Sequence, residues 1–200
     1  MTRQRLLDAA RRVIGRLGYL DTTVNDIVVE AGVARGSFYS YFESKADLFH
    51  QLAATIDEQI DRDVVSFERS TDDPIETLKQ ANRRYLAVVR ANADLYELVN
   101  QVAAIDPAIA ALRLESRKHH VRRVAATIRR WQAAGIASAS IDAETTAVAL
   151  VAMLSNAAYW HYVGGDPHDE QSLAATLDSI WIAACGLRQR GARPRRATVR

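Results

Sequence analysis

The sequence predicts an all-α protein of about nine helices, because apolar residues recur every three or four positions along most of the chain. No segment alternates apolar and polar residues as a half-buried strand does. Only nine of the 200 residues are glycine and four are proline, which is too few turn residues for an all-β fold. With 48% hydrophobic residues, the chain has enough apolar material for a sizeable core.

Three short helices are predicted within the first 50 residues. The first covers about 2–17 and ends at Gly18. Thr23 and Asp26 have the spacing of a capping box, so the second helix begins there. Gly32 stands where that helix ends, at a position that requires the left-handed backbone conformation that glycine tolerates best.

The third helix must be short, because Ser44 and Asp47 repeat the capping-box spacing and begin a fourth helix. Two short helices joined by a glycine turn make a helix-turn-helix unit, whose second helix fits the major groove of DNA. Phe38 and Phe42 can pack inward, which leaves Arg, Gly, Ser and Tyr residues outside, and these types suit contacts with bases and phosphates. Lys45, at the first turn of the next helix, adds a phosphate-sized anion site.

A set of residues in this region carries a resemblance, in identity and spacing together: Gly18, Thr23, Val24, Asp26, Ile27, Ala31-Gly32-Val33, Gly36-Ser37-Phe38-Tyr39, Tyr41-Phe42, Ser44-Lys45 and Leu48. At these positions the first quarter of the chain resembles the DNA-binding domain of the TetR family of bacterial transcriptional regulators. Ala34 departs from the pattern, because the family often has a helix-capping Ser or Thr there. The resemblance implies that Thr23, Tyr39, Tyr41 and Lys45 contact phosphates, and that Arg35, Gly36, Ser37 and Ser40 face the groove.

The net charge of only +2 does not by itself indicate a nucleic-acid partner. The prediction of a double-stranded DNA operator as partner rests instead on where positive side chains lie, with Arg3, Arg5, Arg35 and Lys45 near the groove face. Arginines without any acid crowd the end of the chain. That basic tail, 191–200, is expected to be disordered and solvated, and the alternative is a weak additional attraction to DNA phosphates.

A DNA-binding head of residues 1–50 is expected to precede a larger helical body of residues 51–190. Helix four carries apolar residues at steps of four and is expected to reach about Glu68. A break follows at 70–74, where Pro74 suits the first turn of a helix. Further helices are predicted at about 74–91, 94–104, 107–134, 142–164 and 169–189.

The last two helices are apolar nearly all round, so they must be buried on more than one face. A second copy of the chain could bury the remaining apolar face, through a four-helix interface with two-fold symmetry. We therefore expect a homodimer formed through residues 142–189, with Leu177 and Trp181 in the interface. The TetR resemblance implies the same arrangement.

Aromatic and polar side chains gather in the body and suit the lining of a mostly apolar cavity, with ordinary core positions as the alternative. The resemblance implies an effector site there, and the expected effector is a small, largely apolar molecule. A basic cluster at 117–123 is expected to be a solvated face. Its alternative role, as a site for an anionic head group, makes a fatty acyl or acyl-coenzyme A compound the second choice. The predicted ligand-binding residues are Tyr96, Asn100, Trp131, Met153, Asn156, Tyr159 and Trp160.

No catalytic constellation is evident, because the chain has no glycine-rich phosphate loop, no paired metal-spacing Cys or His and no Gly-x-Ser-x-Gly elbow. His119 and His120 would point about 100° apart on a helix, so they do not easily share a metal ion. We therefore expect no cofactor, no metal and no enzymatic activity. No apolar run is long enough for a membrane span, no signal core opens the chain and the single Cys185 suits a reducing compartment, which favours the cytoplasm.

These features favour a ligand-responsive, DNA-binding regulator, and the expected mode is repression. Two heads on one dimer would read the half-sites of a near-palindromic operator, about one turn of DNA apart. An effector in the body would favour a dimer with the wrong head spacing, with helix four as the connection. Two alternatives, a small helical enzyme and a helical interaction or effector-binding protein without DNA binding, would leave the surface from Arg35 to Lys45 unexplained.

Overall fold

The structure, a computed structural model, describes residues 1–65 and 73–187. Within these residues it consists of nine α-helices and contains no strand, which confirms the predicted all-α class. The helices are α1 (Thr2–Leu17), α2 (Val24–Ala31), α3 (Arg35–Tyr39), α4 (Lys45–Ile60), α5 (Pro74–Ala91), α6 (Ala93–Ala103), α7 (Pro107–Ala133), α8 (Ala143–Tyr162) and α9 (Glu170–Cys185).

Side-chain caps begin α2 and α4 where the sequence predicts them. The Thr23 amide donates to Asp26 Oδ2 at 2.9 Å, and the Asp26 amide donates to Thr23 Oγ1 at 3.2 Å, which completes a capping box. Ser44 Oγ accepts from the Asp47 amide at 3.0 Å. Gly32 ends α2 with a φ of 62°, so a tight turn joins α2 to α3.

The fourth helix leaves the α-helical hydrogen-bonding pattern before its predicted end. α4 stops at Ile60 and continues as a π-helical turn over Asp61–Val65. An apolar period of four residues continues smoothly through such a turn, so the sequence pattern does not reveal it. The predicted end at Glu68 lies outside the described residues, as does the basic tail 191–200.

The C-terminal helix also differs in length from its prediction. α9 ends at Cys185, because Gly186 adopts the left-handed conformation with a φ of 58° and closes the helix. The predicted continuation through Leu187 is therefore wrong, and residues 188 and 189 lie outside the described part of the chain. α8 is shorter than its prediction by one residue at its start and two at its end.

Two neighbouring cores hold the molecule together. One joins the head helices to α4, α6 and the beginning of α7, and the other is enclosed by α5, α7, α8 and α9. Tyr85 and Tyr96 pack against both cores, so the boundary between the cores passes through the middle of the body. None of the described helices is both long enough and apolar enough to cross a membrane.

α8 and α9 bury one face inside the protomer and expose another. Leu177 and Trp181, which we expected between two chains, are only 3% and 6% exposed and belong to the protomer's own core. The apolar side chains that stay exposed are Val148 at 43%, Trp160 at 55% and Ile180 at 44%. The sequence pattern identifies apolar faces, but it does not tell which neighbour buries them.

Candidate functional site

α3 presents its polar side to solvent because Phe38 anchors its other side in the core of the head. Phe38 is fully buried and lies 5.6 Å, between ring centroids, from Phe42. Beyond its chain neighbours and the backbone of its own helix, no atom lies within 4 Å of the place where a Cβ at Gly36 would be, so the backbone there is open to close approach. Ala34 gives α3 no side-chain cap, in keeping with its departure from the family pattern. The predicted DNA-binding residues Thr23, Arg35, Gly36, Tyr39, Ser40 and Tyr41 are exposed, and Ser37 is half-buried.

The ammonium of Lys45 is bonded within the protein. Nζ donates to the carbonyl oxygens of Tyr19 at 2.6 Å, Leu20 at 3.3 Å and Thr22 at 2.6 Å, and lies 4.6 Å from the centroid of the Tyr19 ring. Burial lowers the pKa of Lys45. Because three carbonyl oxygens accept from the ammonium, Lys45 fixes the loop that leads to Thr23. The contact with a DNA phosphate that the sequence predicts is not tested by these bonds, but it would have to replace one of them, which favours the role of Lys45 in the loop.

Arg5 stabilises the turn between α2 and α3, a role that the sequence alone did not reveal. Its Nη2 donates to the carbonyl oxygens of Ala31 at 2.6 Å and Gly32 at 3.2 Å. These carbonyls lie at the end of α2, where the helix itself offers them no donor. Arg5 therefore holds the turn, whereas the sequence had only placed its positive charge near the groove face.

A polar network connects the head to the body beside α4. Arg11 of α1 forms a bidentate ion pair with Asp94 of α6 and donates from Nη1 to Asn92 Oδ1 at 3.3 Å. Asn92 Nδ2 in turn donates to Gln59 Oε1 of α4 at 3.0 Å. The bond from Arg11 is the main reason that the pKa of Asp94 is lowered. The head is thus tied to α6 as well as to α4.

A cavity of about 740 Å³ lies in the body, between side chains of α4 to α9. Its volume falls in the range of pockets that hold drug-sized molecules. Met153, predicted to bind the ligand, does not line the cavity and packs in the core of α5, α7, α8 and α9. Its neighbour Leu154 lines the cavity instead, because adjacent helix positions point about 100° apart. The structure brings the other six predicted residues to the cavity: Tyr96, Asn100, Trp131, Asn156, Tyr159 and Trp160.

Polar groups on the wall formed by α4, α5 and α6 are mostly paired with protein groups. Asp57 Oδ1 of α4 accepts from Ser116 Oγ at 2.6 Å, and burial raises the pKa of this carboxyl. Tyr85 and Tyr96 are hydrogen-bonded to each other. Burial raises the pKa of Tyr85 to about 12 and the pKa of Tyr96 well above its usual value, so both hydroxyls stay protonated.

His120 of α7 also lines the cavity, and sequence reasoning did not place it there. Burial, followed by the positive charge of Arg123, lowers the pKa of His120 to about 4, so the imidazole is neutral near pH 7. Its Nε2 is buried without a hydrogen-bond partner. A histidine inside a basic cluster is expected on a solvated face, and only the packing of α7 against α4 reveals its burial.

Two family profiles match the chain. The profile of the bacterial regulatory proteins of the tetR family covers residues 6–52, and that of the tetracyclin repressor-like C-terminal domain covers residues 71–182. The second match alone spans more than half of the chain. The chain belongs to the TetR family. The members of this family are DNA-binding transcriptional regulators, which agrees with the exposed helix-turn-helix of the head.

Individual TetR-family proteins resemble the chain over different lengths. The regulator AcrR of Shigella flexneri is 31% identical over 80 residues, which cover 40% of this chain and only 37% of AcrR. The regulator TtgR of Pseudomonas putida is 29% identical over 164 residues, 76% of this chain and 75% of TtgR. The crystal structure of a TetR-family regulator from Syntrophomonas wolfei has the same fold, with a TM-score of 0.80 at 21% identity, over 94% of this chain and 96% of that chain.

Proposed function

We propose that the chain is a homodimeric transcriptional repressor, which binds a near-palindromic DNA operator and releases it when a small molecule occupies the body cavity. One observation carries this proposal: an exposed helix-turn-helix and a cavity of about 740 Å³ lie in one chain and share α4. Lys45 begins α4 in the head, and Asp57 of the same helix lines the cavity. A rearrangement around a ligand can therefore reach the head through one continuous helix.

In the proposed complex, residues 1–50 form the DNA-binding domain. Arg35 contacts base edges in the major groove, because it is the exposed side chain of α3 that can donate bidentately to guanine. Lys45 orders the loop before α2 and so places the start of that helix against the backbone. Gly36, Ser37 and Ser40 face the groove beside Arg35, and Thr23, Tyr39 and Tyr41 contact phosphates.

Residues 51–190 form the proposed ligand-binding and dimerisation domain. The dimer contact is the outer face of α8 and α9, where Val148 and Ile180 are exposed in the protomer. Two-fold symmetry would place this face against the same face of a second chain. Small side chains surround Ile180, which allows close approach of a partner helix: Ala175, Thr176, Ser179 and Ala183.

The effector that we propose is small and largely apolar, with a fatty acyl or acyl-coenzyme A compound as the second choice. All three tryptophans of the chain line the cavity, and aromatic rings supply a large apolar contact area. Asn100 and Asn156 each donate their amide to a carbonyl oxygen of their own helix, at 2.9 and 3.0 Å. Their Oδ1 atoms are left as acceptors that can orient a polar group of the ligand.

Selection of bound sequences from random double-stranded DNA tests the proposed function. We expect a near-palindromic site, and we expect Arg35→Ala to relax its sequence at one base pair of each half-site by about 1–3 kcal/mol. Arg83→Ala, which changes an exposed arginine of α5 in the body, is the matched control and should leave the selected site unchanged. Recovery of no preferred sequence by the unaltered protein would contradict the proposal.

A further inference from the structure

One face of α7 brings a row of basic side chains to the cavity. Arg113, Arg117, His120, Arg123 and Arg130 all line it, at steps of three or four residues with Thr127 completing the row. Residues at this spacing lie on one side of a helix. The sequence predicted a solvated face for the basic cluster, and Arg117 and Arg122 are exposed as expected. The structure also places one side of that cluster along the cavity, where His120 and Arg123 are partly buried.

The positive charge of this row is only partly neutralised by the protein. Arg123 Nη1 lies 3.0 Å from Asp61 Oδ1. Among residues 1–65 and 73–187, no carboxylate oxygen lies within 4.0 Å of the guanidinium groups of Arg113, Arg117 or Arg130. Asp57 is the one carboxylate among the described lining residues. The cavity is therefore electropositive along α7.

Two buried nitrogen atoms of the row lack hydrogen-bond partners. They are His120 Nε2 and Arg123 Nε, one turn apart on α7. Buried polar groups in folded proteins are normally paired, so an unpaired group beside a cavity is a reason to look for a ligand atom. Both atoms lie within one to two turns of Arg117 on the same face of α7, so the protein leaves this part of the helix open to a ligand acceptor.

The walls opposite α7 have a different chemistry. They carry aromatic rings from α5, α6, α8 and α9, among them Tyr85, Tyr96, Tyr159 and Trp181. Burial is the main reason that the pKa of Tyr96 is raised, and the charge of Arg113 opposes that rise. The positive charge of Arg113 therefore acts on a tyrosine of the aromatic wall. The cavity consequently combines an apolar part with a cationic edge.

We propose that the effector is an organic carboxylate, with an apolar body against the aromatic walls and its acid group along α7 beside Arg113 and Arg117. Guanidinium groups bind carboxylates through paired, charge-assisted hydrogen bonds, which a neutral ligand cannot form. A cationic ligand would meet repulsion from the same arginines. The inference rests on the proposed function and names the chemical class of its effector, in place of the uncharged molecule expected first.

The test compares three ligands with the same ten-carbon chain: decanoate, decan-1-ol and decyltrimethylammonium. Binding to the full chain is followed by tryptophan fluorescence in the absence of DNA, since every tryptophan of the chain lines the cavity. We expect decanoate to bind at least about tenfold more tightly than decan-1-ol, and the cation to bind most weakly. Decanoyl-coenzyme A, whose negative charges are on the coenzyme A phosphates, is added as a fourth ligand, and tighter binding than decanoate would assign the anionic group to phosphates and overturn the carboxylate.

Variants on α7 locate the acid group. Arg113→Met and Arg117→Met should each reduce the preference for decanoate over decan-1-ol, and the double variant should abolish it, while affinity for decan-1-ol is retained. Arg122→Met is the matched control, because Arg122 is exposed on the same helix, as Arg113 and Arg117 are, but does not line the cavity. It should keep the full preference.

Three further results would overturn the carboxylate proposal. The first is equal or tighter binding of decan-1-ol or the cation, and the second is an undiminished preference for decanoate in the double variant. The third is failure of decanoate to bind at all. None of these results depends on operator binding, so a failure of the proposed repressor function would appear separately, as a protein that binds the anion but selects no DNA sequence.

Discussion

Lys45 is a charged residue of the head with three acceptors inside the protein: the carbonyl oxygens of Tyr19, Leu20 and Thr22. These carbonyls belong to the loop between α1 and α2, where no helix supplies them with donors. A charged donor at this place stabilises the loop and thereby the start of α2. Lys45 would then contribute to DNA binding indirectly, because it holds Thr23 at the start of α2 in place to contact a phosphate.

Replacement of Lys45 distinguishes its role in stabilising the loop between α1 and α2 from a direct contact with a DNA phosphate. Lys45→Met should lower the free energy of unfolding by about 1–3 kcal/mol, because three carbonyl groups lose a charged partner. Operator affinity should fall, but the slope of log affinity against log salt should stay as in the parent. Lys118→Met, an exposed substitution on α7, is the control for the loss of one charge. A slope reduced by about one, with stability unchanged, would show a direct phosphate contact instead.

His120 makes the stability of the fold depend on pH. Its pKa is about 4 in the folded protein, against about 6.5 in an unfolded chain, so the unfolded state binds the proton more readily. The stabilisation is therefore present above pH 6.5 and is lost as the pH falls toward 4. Between pH 7.5 and 5 we expect the free energy of unfolding to fall by about 2 kcal/mol from this group.

Denaturant unfolding at both pH values measures this loss. His120→Gln should remove the expected part of the pH dependence, because glutamine does not titrate. His119→Gln changes the exposed neighbour on the same helix and should retain it. The same pH dependence in the parent and in His120→Gln would exclude the buried imidazole as its source.

Among the helices, the starts in the head could be predicted from the sequence because their signals are local. The capping box at Thr23 is complete within four residues, the Ser44 cap spans the same distance, and Gly32 closes α2 on its own. The end of α4 depends on contacts distant in sequence. Asp61, where the π-helical turn begins, lies 3.0 Å from Arg123 and 3.4 Å from His119 of α7. No pattern within α4 itself contains that information.

The lining of the cavity could likewise be predicted only where the residue type itself indicates burial. Aromatic residues on otherwise apolar helices, such as Tyr96 and Trp131, face the interior wherever the helices pack, so their type and position were sufficient. Asp57 and His120 were not predicted, because a charged or titratable residue is ordinarily solvated. Their burial depends on how closely α4 packs against α7, which the sequence of neither helix specifies.

The outer face of α9 gives a direct test of the dimer contact. Ile180→Arg should yield a folded monomer, because Ile180 is exposed in the protomer and a charge there is unfavourable only against a partner chain. Leu177→Arg should instead unfold the protomer, since Leu177 lies in its core. Sedimentation and circular dichroism distinguish these outcomes, and Gln171→Arg, exposed at the start of α9, serves as the control. An intact Ile180→Arg dimer would place the interface elsewhere.

At the scale of the whole molecule, two of the helices that line the cavity, α4 and α6, also hold the head. α4 contributes Asp57 to the cavity and Lys45 to the head. α6 contributes Tyr96 to the cavity and pairs with α1 through Asp94 and Arg11. A ligand that separates these walls acts on both connections together. Ligand binding in the cavity and operator binding by the head are therefore expected to be coupled, with the same coupling free energy in both directions.

Operator affinity at full ligand occupancy is the measurement that tests this coupling most directly. The anisotropy of a labelled operator would be followed while tryptophan fluorescence reports occupancy of the cavity by decanoate or the tightest ligand of its series. We predict that saturating ligand weakens operator binding at least about tenfold, or about 1.4 kcal/mol, and that saturating operator weakens ligand binding by the same factor. An operator affinity that stays unchanged with the cavity fully occupied would contradict a ligand-responsive repressor.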